Sequence, residues 1–419
     1  AAEGGEPIQL TKNNDTYIRS IQWSPDSKSI LYTDRKNRVV TVDVASKTKK
    51  EILRNPESEF YDVSYSPDSQ WLTYTKPAAN QMSVVYVYNL KTGKEYPVTE
   101  KWYNSSEPVF STDGKYLIFS SDRDFNPIYG RLEWNHVYTR MGGIYLVMLE
   151  KSTPSPFLPK DEKVGENASE KAQPADKKQE EKPAQQGVTV RIDTDDMLAR
   201  IVKLPLGTNN YRNFYSDGKT VWYWGNGGTH AYDLDKQKDE LVAEGAYMDV
   251  TPGSDQALFL KGNTLYVTAL PKSKATLTDA VDLSDMVATI DYPQEWAQIF
   301  DEAWRAYRDG FYLENMHGVD WKAIKAKYEC LVPYAKTRLD LNYIIGEMIG
   351  ELACGHAYVN PGDYKQIKRV SMGLLGAELS RDQKILLRND DGFLIGESVF
   401  LLFHSVFVCE DKCRYLFGF

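Results

Sequence analysis

Five histidines occur in this 419-residue sequence, and His356 is the one placed where an imidazole suits acid–base chemistry. It lies in Cys354-Gly355-His356-Ala357-Tyr358, directly after an apolar stripe of helical period. An imidazole just past a helix C-terminus feels the negative end of the helix dipole, which favours the protonated ring. That fits a general base, which must hold a proton transiently. A structural hydrogen-bonder in a helix-to-strand turn fits the same place, so spacing alone leaves both roles open. His136 and His230 belong to strand-rich stretches, His317 to a Met316-His317-Gly318 turn, and His404 to the C-terminal end.

Other chemistries lack their motifs. No HExxH, GxSxG, GxGxxG or Walker-type loop occurs, and without GxSxG there is no nucleophile elbow of the kind that follows the propeller in prolyl-oligopeptidase-like enzymes. Four cysteines, Cys330, Cys354, Cys409 and Cys413, lie in the last quarter without the CxxC pairing of a zinc site, so buried or incidental thiols are the plainer reading. No cofactor and no metal are expected.

The elements that must position His356 are helical. At about Asp291 the hydrophobic period changes from two to 3.6. Asp291 caps a helix, with Gln294 three residues on, and Trp296, Ile299, Phe300, Ala303, Trp304 and Tyr307 share one face. A shorter helix follows Asp320 to Tyr328 and stops before Pro333. A third begins near Asp340, carries Leu341, Ile344, Ile345, Met348, Ile349 and Leu352 on one stripe, and ends at Cys354-Gly355. Gly355 suits the left-handed position after a helix.

Before these helices a repeat runs through the first 270 residues. Its marker is an aromatic residue followed by Ser-Pro-Asp-Ser or a variant: Trp23-Ser24-Pro25-Asp26-Ser27, Tyr65-Ser66-Pro67-Asp68-Ser69 and Phe110-Ser111-Thr112-Asp113-Gly114. Degenerate copies stand at Tyr215-Ser216-Asp217-Gly218 and Thr251-Pro252-Gly253-Ser254-Asp255. The first three are spaced by about 40 to 45 residues, the length of a four-stranded propeller blade. Pro fixes φ at the turn entry, Asp bonds its own backbone two residues on, and Gly or Ser tolerates the turn exit, so the marker closes a hairpin. A further strand is clear in each unit at 39–44, 84–89, 144–149, 229–234 and 265–270. The predicted fold is mainly β: a partial propeller of about five four-stranded blades, then a small helical subdomain.

Between the third and fourth markers, residues 158–187 are rich in Lys, Glu, Gln, Pro and Ala and nearly free of large apolar side chains. Such a stretch buries too little surface to offset its ordering entropy, so a disordered insertion is expected. The formal net charge of −9 offers no broad basic surface for nucleic acid. The apolar run at 393–408 contains Glu397 and His404 and falls short of the roughly 20 residues of a membrane span, so no membrane partner is expected. The first residues carry no signal-peptide pattern.

Several linked passages resemble the tricorn-type serine proteases. In order they are Phe300-Asp301-Glu302-Ala303-Trp304-Arg305, Arg308-Asp309-Gly310-Phe311-Tyr312, Met316-His317-Gly318-Val319-Asp320-Trp321, Gly350-Glu351-Leu352 and Gly355-His356-Ala357-Tyr358, with Gly362-Asp363-Tyr364 after them. Ser121-Asp122-Arg123-Asp124-Phe125-Asn126-Pro127 and Glu133-Trp134-Asn135-His136 are similar to the bacterial branch of that family, and the resemblance reaches about Leu387.

The resemblance implies about seven blades in the complete propeller, a helical first catalytic subdomain, a PDZ-like domain and a second catalytic subdomain. It divides this sequence into blades over 1–288, the helical subdomain over 289–368, the start of a PDZ-like domain over 369–392 and an aberrant or truncated tail over 393–419. It implies a peptidase acting on oligopeptides, with His356 as the triad base and a propeller that admits extended chains. It also implies a homohexamer in the cytoplasm, or in the periplasm if a leader lies upstream. The family's nucleophilic serine and its glutamate partner lie in the second subdomain, which this sequence lacks, so the 419 residues alone are expected to be inactive. Where the archetype has a serine before the histidine, this chain has Gly355. The tail matches nothing in the family, and a frameshift or read-through is the expectation there. The rival reading is a non-catalytic propeller that binds proteins or peptides, which the helical block speaks against.

Overall fold

The computed structural model describes residues 6–12, 14–124, 127–129, 136–158, 187–250, 255–363, 377–379, 385–388 and 394–395, with backbone alone at 127–129, 136–138 and beyond 363. Five antiparallel blades come first. Blade one comprises β1 (Ile18–Trp23), β2 (Ser29–Asp34), β3 (Arg38–Asp43) and β4 (Lys49–Arg54). Blade two comprises β5 (Tyr61–Tyr65), β6 (Trp71–Pro77), β7 (Ser83–Asn89) and β8 (Lys94–Pro97). In blade three, β9 (Ser105–Phe110) and β10 (Tyr116–Ser121) are followed by a separate hairpin of β11 (Pro127–Tyr129) and β12 (His136–Tyr138). β13 (Gly143–Met148) and β14 (Ile201–Lys203) then complete the sheet.

Blade four comprises β15 (Arg212–Ser216), β16 (Thr220–Gly225), β17 (Gly228–Asp233) and β18 (Lys238–Glu244). Blade five has three strands, β19 (Ala246–Asp249), β20 (Gln256–Lys261) and β21 (Thr264–Ala269), and only a single bridge from Tyr266 to Ala280 where a fourth would lie. The expected insertion at 158–187 falls between β13 and β14 and, its two end residues apart, lies outside the described residues.

Each complete marker joins the first two strands of its blade by one repeated network. Ser24, Ser66 and Ser111 are buried, donate to Asp26, Asp68 and Asp113 at 2.7, 2.6 and 2.7 Å, and accept the N–H of Ser29, Trp71 and Tyr116 at 2.9 Å. Each Asp also accepts the N–H two residues on, from Lys28, Gln70 and Lys115. The turn exits at Ser27, Ser69 and Gly114 have φ of 57°, 59° and 73°, the left-handed region where a side chain costs energy.

The core lies between blades. Leu117 and Phe119 of β10 pack toward Val85 and Val87 of blade two, while Ile118 packs toward Val221 and Tyr223 of blade four. Trp222 faces the other way, onto Met248 and Phe259 of blade five. Both faces of these middle strands are therefore buried, which explains their continuous apolar runs. Ile21 and Trp23 of β1 are 68% and 54% exposed, and Leu258 and Leu260 of β20 are 38% and 42% exposed, because no described blade lies beyond them.

First strands of adjacent blades touch along the propeller axis, β5 with β9 and β9 with β15, and each carries a register shift. At these bulges Asp62, Glu107 and Asn213 are left-handed, with φ of 53°, 53° and 58°. The Glu107 N–H donates to Asp62 Oδ2 at 2.9 Å, the Asn213 N–H to Glu107 Oε2 at 2.6 Å, and Asn213 Nδ2 to the Met248 carbonyl at 2.7 Å. Arg19, at the shift in β1, pairs with Glu59 just before β5. Burial pushes the Glu107 carboxyl above its ordinary range.

Three helices follow: α1 (Tyr292–Gly310), α2 (Trp321–Glu329) and α3 (Arg338–Gly350). Arg35, in the β2–β3 turn, donates from Nε to the Asp309 carbonyl at 3.1 Å and from Nη2 to the Gly310 carbonyl at 2.8 Å, which ties blade one to the end of α1. Of the expected PDZ-like start at 369–392 and tail at 393–419, the described part is a small antiparallel sheet of β22 (Ala377–Leu379), β23 (Ile385–Arg388) and β24 (Leu394–Ile395). The remainder lies outside the described residues. No helix among the described residues is long and apolar enough to cross a membrane.

Candidate active site

Local chemistry sets the three helices that lead to His356. Asp291 caps α1 by accepting the Gln294 N–H at 3.2 Å, and Asp320 caps α2 by accepting that of Ala323 at 3.0 Å. α3 starts two residues before Asp340, which is a partner in the cap: Thr337 accepts the Asp340 N–H at 3.2 Å, and Asp340 Oδ2 accepts the Thr337 N–H at 2.8 Å. Trp296, Phe300, Leu341, Ile345 and Met348 form the shared core. Trp304 Nε1 donates to the Trp321 carbonyl at 2.8 Å and Trp321 Nε1 to the Trp304 carbonyl at 3.0 Å, a reciprocal clasp between α1 and the start of α2.

Beyond α3 the chain is held at three points. The Glu351 carboxylate accepts from Lys327 Nζ at 2.5 Å and from the Tyr328 hydroxyl at 2.7 Å, both on α2. These donors hold the Glu351 carboxyl below its ordinary range. Leu352 is fully buried, and its carbonyl lies 2.8 Å from His317 Nδ1. His317 Nε2 in turn lies 2.5 Å from the Tyr312 hydroxyl, and the ring of Phe311 meets His317 edge to face at 4.9 Å between centroids. Sequence reasoning had placed His317 only in a turn and missed this support. Met316 and His317 are both left-handed, with φ of 50° and 56°.

The left-handed residue past α3 is Ala353, with φ of 47°, and not Gly355, which is absent from the positive-φ positions. α3 itself ends at Gly350, so His356 lies more than a full turn beyond it. A dipole effect fades within the last turn, so that argument for a protonated ring does not carry over. His356 is instead exposed and itself left-handed, with φ of 58°. Such a conformation costs about 1–3 kcal/mol and persists only where the surroundings impose it.

His356 Nδ1 lies 3.3 Å from the Tyr358 hydroxyl. No carboxylate among the described residues bonds the ring, so any orienting acid must come from elsewhere. Beside it Tyr343, Gly346, Ile349, Cys354, Tyr358 and Val359 line an open, largely apolar cavity of about 480 Å³. Tyr343 and Tyr358 are 69% and 78% exposed on its rim.

His230 is buried in β17, with Nδ1 2.9 Å from Asp239 and its ring stacked on Tyr223 at 5.3 Å, a packing role. The side chains of His136 and His404, and Cys409 and Cys413, lie outside the described residues. Cys330 is exposed and Cys354 half-buried, and both are free thiols. Among the described residues no group of three or more His, Cys, Asp or Glu side chains is placed to hold a metal.

Comparison with known proteins agrees with this architecture. The family model described as the tricorn protease second beta propeller domain matches residues 1–271, and that described as the tricorn protease C1 domain matches residues 292–350. The second match stops short of His356. Tricorn protease homolog 1 of Streptomyces coelicolor is 28% identical over 411 residues, covering 91% of this chain and 37% of that protein. The tricorn protease of Thermoplasma volcanium is 24% identical over 373 residues, covering 86% of this chain and 35% of that protein. The chain thus spans little more than a third of the length of these relatives. A crystal structure of the tricorn protease superposes with a TM-score of 0.68 at 20% identity, over 83% of this chain and 34% of that one, which shows the shared fold. With the propeller model matching well over half of the residues, the chain belongs to the tricorn protease family.

Proposed function

We propose that this chain is part of a serine peptidase that degrades oligopeptides, in which His356 is the general base. The observation that supports this reading is the order of the two matched units, a tricorn propeller at 1–271 and then a tricorn C1 domain at 292–350. In this scheme His356 takes the proton from a serine hydroxyl as it attacks the scissile carbonyl. The same ring then returns that proton to the departing amine. The serine and the acidic partner that orients the imidazole come from a second catalytic subdomain. The exposure of His356 and the open cavity beside it fit a half-site that such a subdomain would cover. The propeller admits extended chains and rejects folded ones by size, and the setting implied is a homohexamer in the cytoplasm.

Peptidase activity on a fluorogenic peptide series tests the reading. The protein expressed from its complete coding region is compared with its His356→Ala variant and with the 419-residue chain. Activity in the complete protein alone is the expected result. An active 419-residue chain, or a complete protein indifferent to His356→Ala, would show that the base is assigned wrongly.

A further inference from the structure

A second concave site lies on the propeller, between blades three and four and remote in sequence from His356. Arg212 opens β15 and pairs in register with Trp224 of β16. The Trp224 ring stacks on that of Tyr247, in β19 of the next blade, with centroids 3.8 Å apart and planes 13° from parallel. The Arg212 guanidinium lies beside the edge of this stack, 5.9 and 5.4 Å from the two centroids, and donates to the Tyr247 hydroxyl. Arg140, Asn209, Asn210, Asn226 and Gly227 complete a cavity of about 560 Å³ that also takes in Arg212 and Trp224, and among the described residues no carboxylate lines it.

Its loops are braced. The Asn209 N–H donates to the Gly142 carbonyl at 2.9 Å, and Asn209 Nδ2 donates to Asn226 Oδ1 at 2.5 Å. A Cβ at Gly142 would collide with the Asn209 carbonyl, so the two loops meet backbone to backbone. Arg140 and Asn226 are left-handed, with φ of 53° and 49°. Arg140 is exposed and makes no ion pair among the described residues. In a chain of net charge −9, two arginines that share a pocket with no acid among its described lining residues give it a local positive potential.

We propose that this pocket binds a peptide carboxylate flanked by an apolar or aromatic side chain. Guanidinium groups match a carboxylate with paired N–H donors, and Arg212 is already held by its bond to the Tyr247 hydroxyl. Trp224, which lines the cavity and is backed by Tyr247, offers apolar ring surface to the neighbouring side chain. The asparagine amides can both donate to and accept from peptide groups, which a bare inorganic anion would not use. The choice of peptide over other carboxylates rests on the peptide-degrading reading above. The carboxylate itself has two sources, a chain terminus or an acidic side chain.

Fluorescence anisotropy with the 419-residue chain separates these sources. The probes are fluorescein-Ala-Ala-Ala-Phe as the free acid, the same peptide as its amide, and an amide with Glu in place of the third Ala. Binding of either carboxylate peptide about tenfold tighter than the plain amide is expected, and whichever does so identifies the source. Arg140→Ala, which removes an exposed side chain with no ion pair among the described residues, should erase that preference, and Arg212→Lys should weaken it. The proposal is overturned if all three peptides bind alike, if Arg140→Ala leaves the preference intact, or if inorganic phosphate displaces the acid peptide at equal concentration. Because binding is read without hydrolysis, a failed peptidase assay and a failed binding assay remain distinct results.

Discussion

The propeller and the helical unit are stabilised by opposite means. Blades one to three repeat one turn network of buried Ser, Asp and strand N–H, and the middle strands of blades three and four bury both faces against neighbours. The helical unit relies on contacts that occur once: the Trp304–Trp321 clasp, the Thr337–Asp340 cap, and the His317 bond to Leu352. A repeat spreads damage over equivalents, whereas a small core of unique contacts has none. The Arg35 bonds to the end of α1 join the two.

The strongest way to break this comparison is Phe300→Ala. Phe300 is 1% exposed in the helical core, and truncation should cost about 3–5 kcal/mol. Far-UV circular dichroism should lose its helical part at lower urea while the strand signal keeps its midpoint. A joint shift of both would mean that the two units unfold as one.

Ser66→Ala probes the other side. It leaves the Trp71 N–H without its acceptor and takes one of three donors from Asp68, which keeps the Gln70 and Val190 N–H groups, at a cost of about 1–3 kcal/mol. The expected outcome in urea is a lower strand midpoint with the helical transition unmoved. Thr337→Ala removes one half of the α3 cap and should lower the helical midpoint alone, by about 1 kcal/mol.

The smallest effect is set by pH. Backbone N–H donors of Lys336 and Thr337 hold the Asp340 carboxyl below its ordinary range. A depressed carboxyl stabilises the folded state above the unfolded value of about 4 and loses that contribution as pH falls through the folded one. The helical midpoint should therefore fall below about pH 4 in the native chain, and by less in Asp340→Asn. An identical acid limb in both would remove Asp340 from the account.

Much of the fold was legible because its signals are local. The Ser-Pro-Asp markers state their turns outright, and the Asp291 cap and apolar stripe of α1 needed no distant partner. The buried serine of the marker was harder to read, since its bond to the strand N–H five residues on exists only once the hairpin closes. The end of α3 was misread because Gly355 invited the left-handed position that Ala353 occupies. His317 and the Arg140–Arg212 pocket depend on residues far apart in sequence, and no spacing rule joins them. The bulge residues Asp62, Glu107 and Asn213 differ in type although they are equivalent in place, so no motif marks them.

Those bulges also have a mechanical consequence. Hydrogen bonds from Asp62 to Glu107, Asn213 and Met248 run around the axis, across the seams where one blade meets the next. Forces that would spread the blades meet these bonds in tension, as hoops meet the outward load on a barrel. The seams from blade two to blade five are thereby held at their inner strands, and these blades can part only once those bonds break.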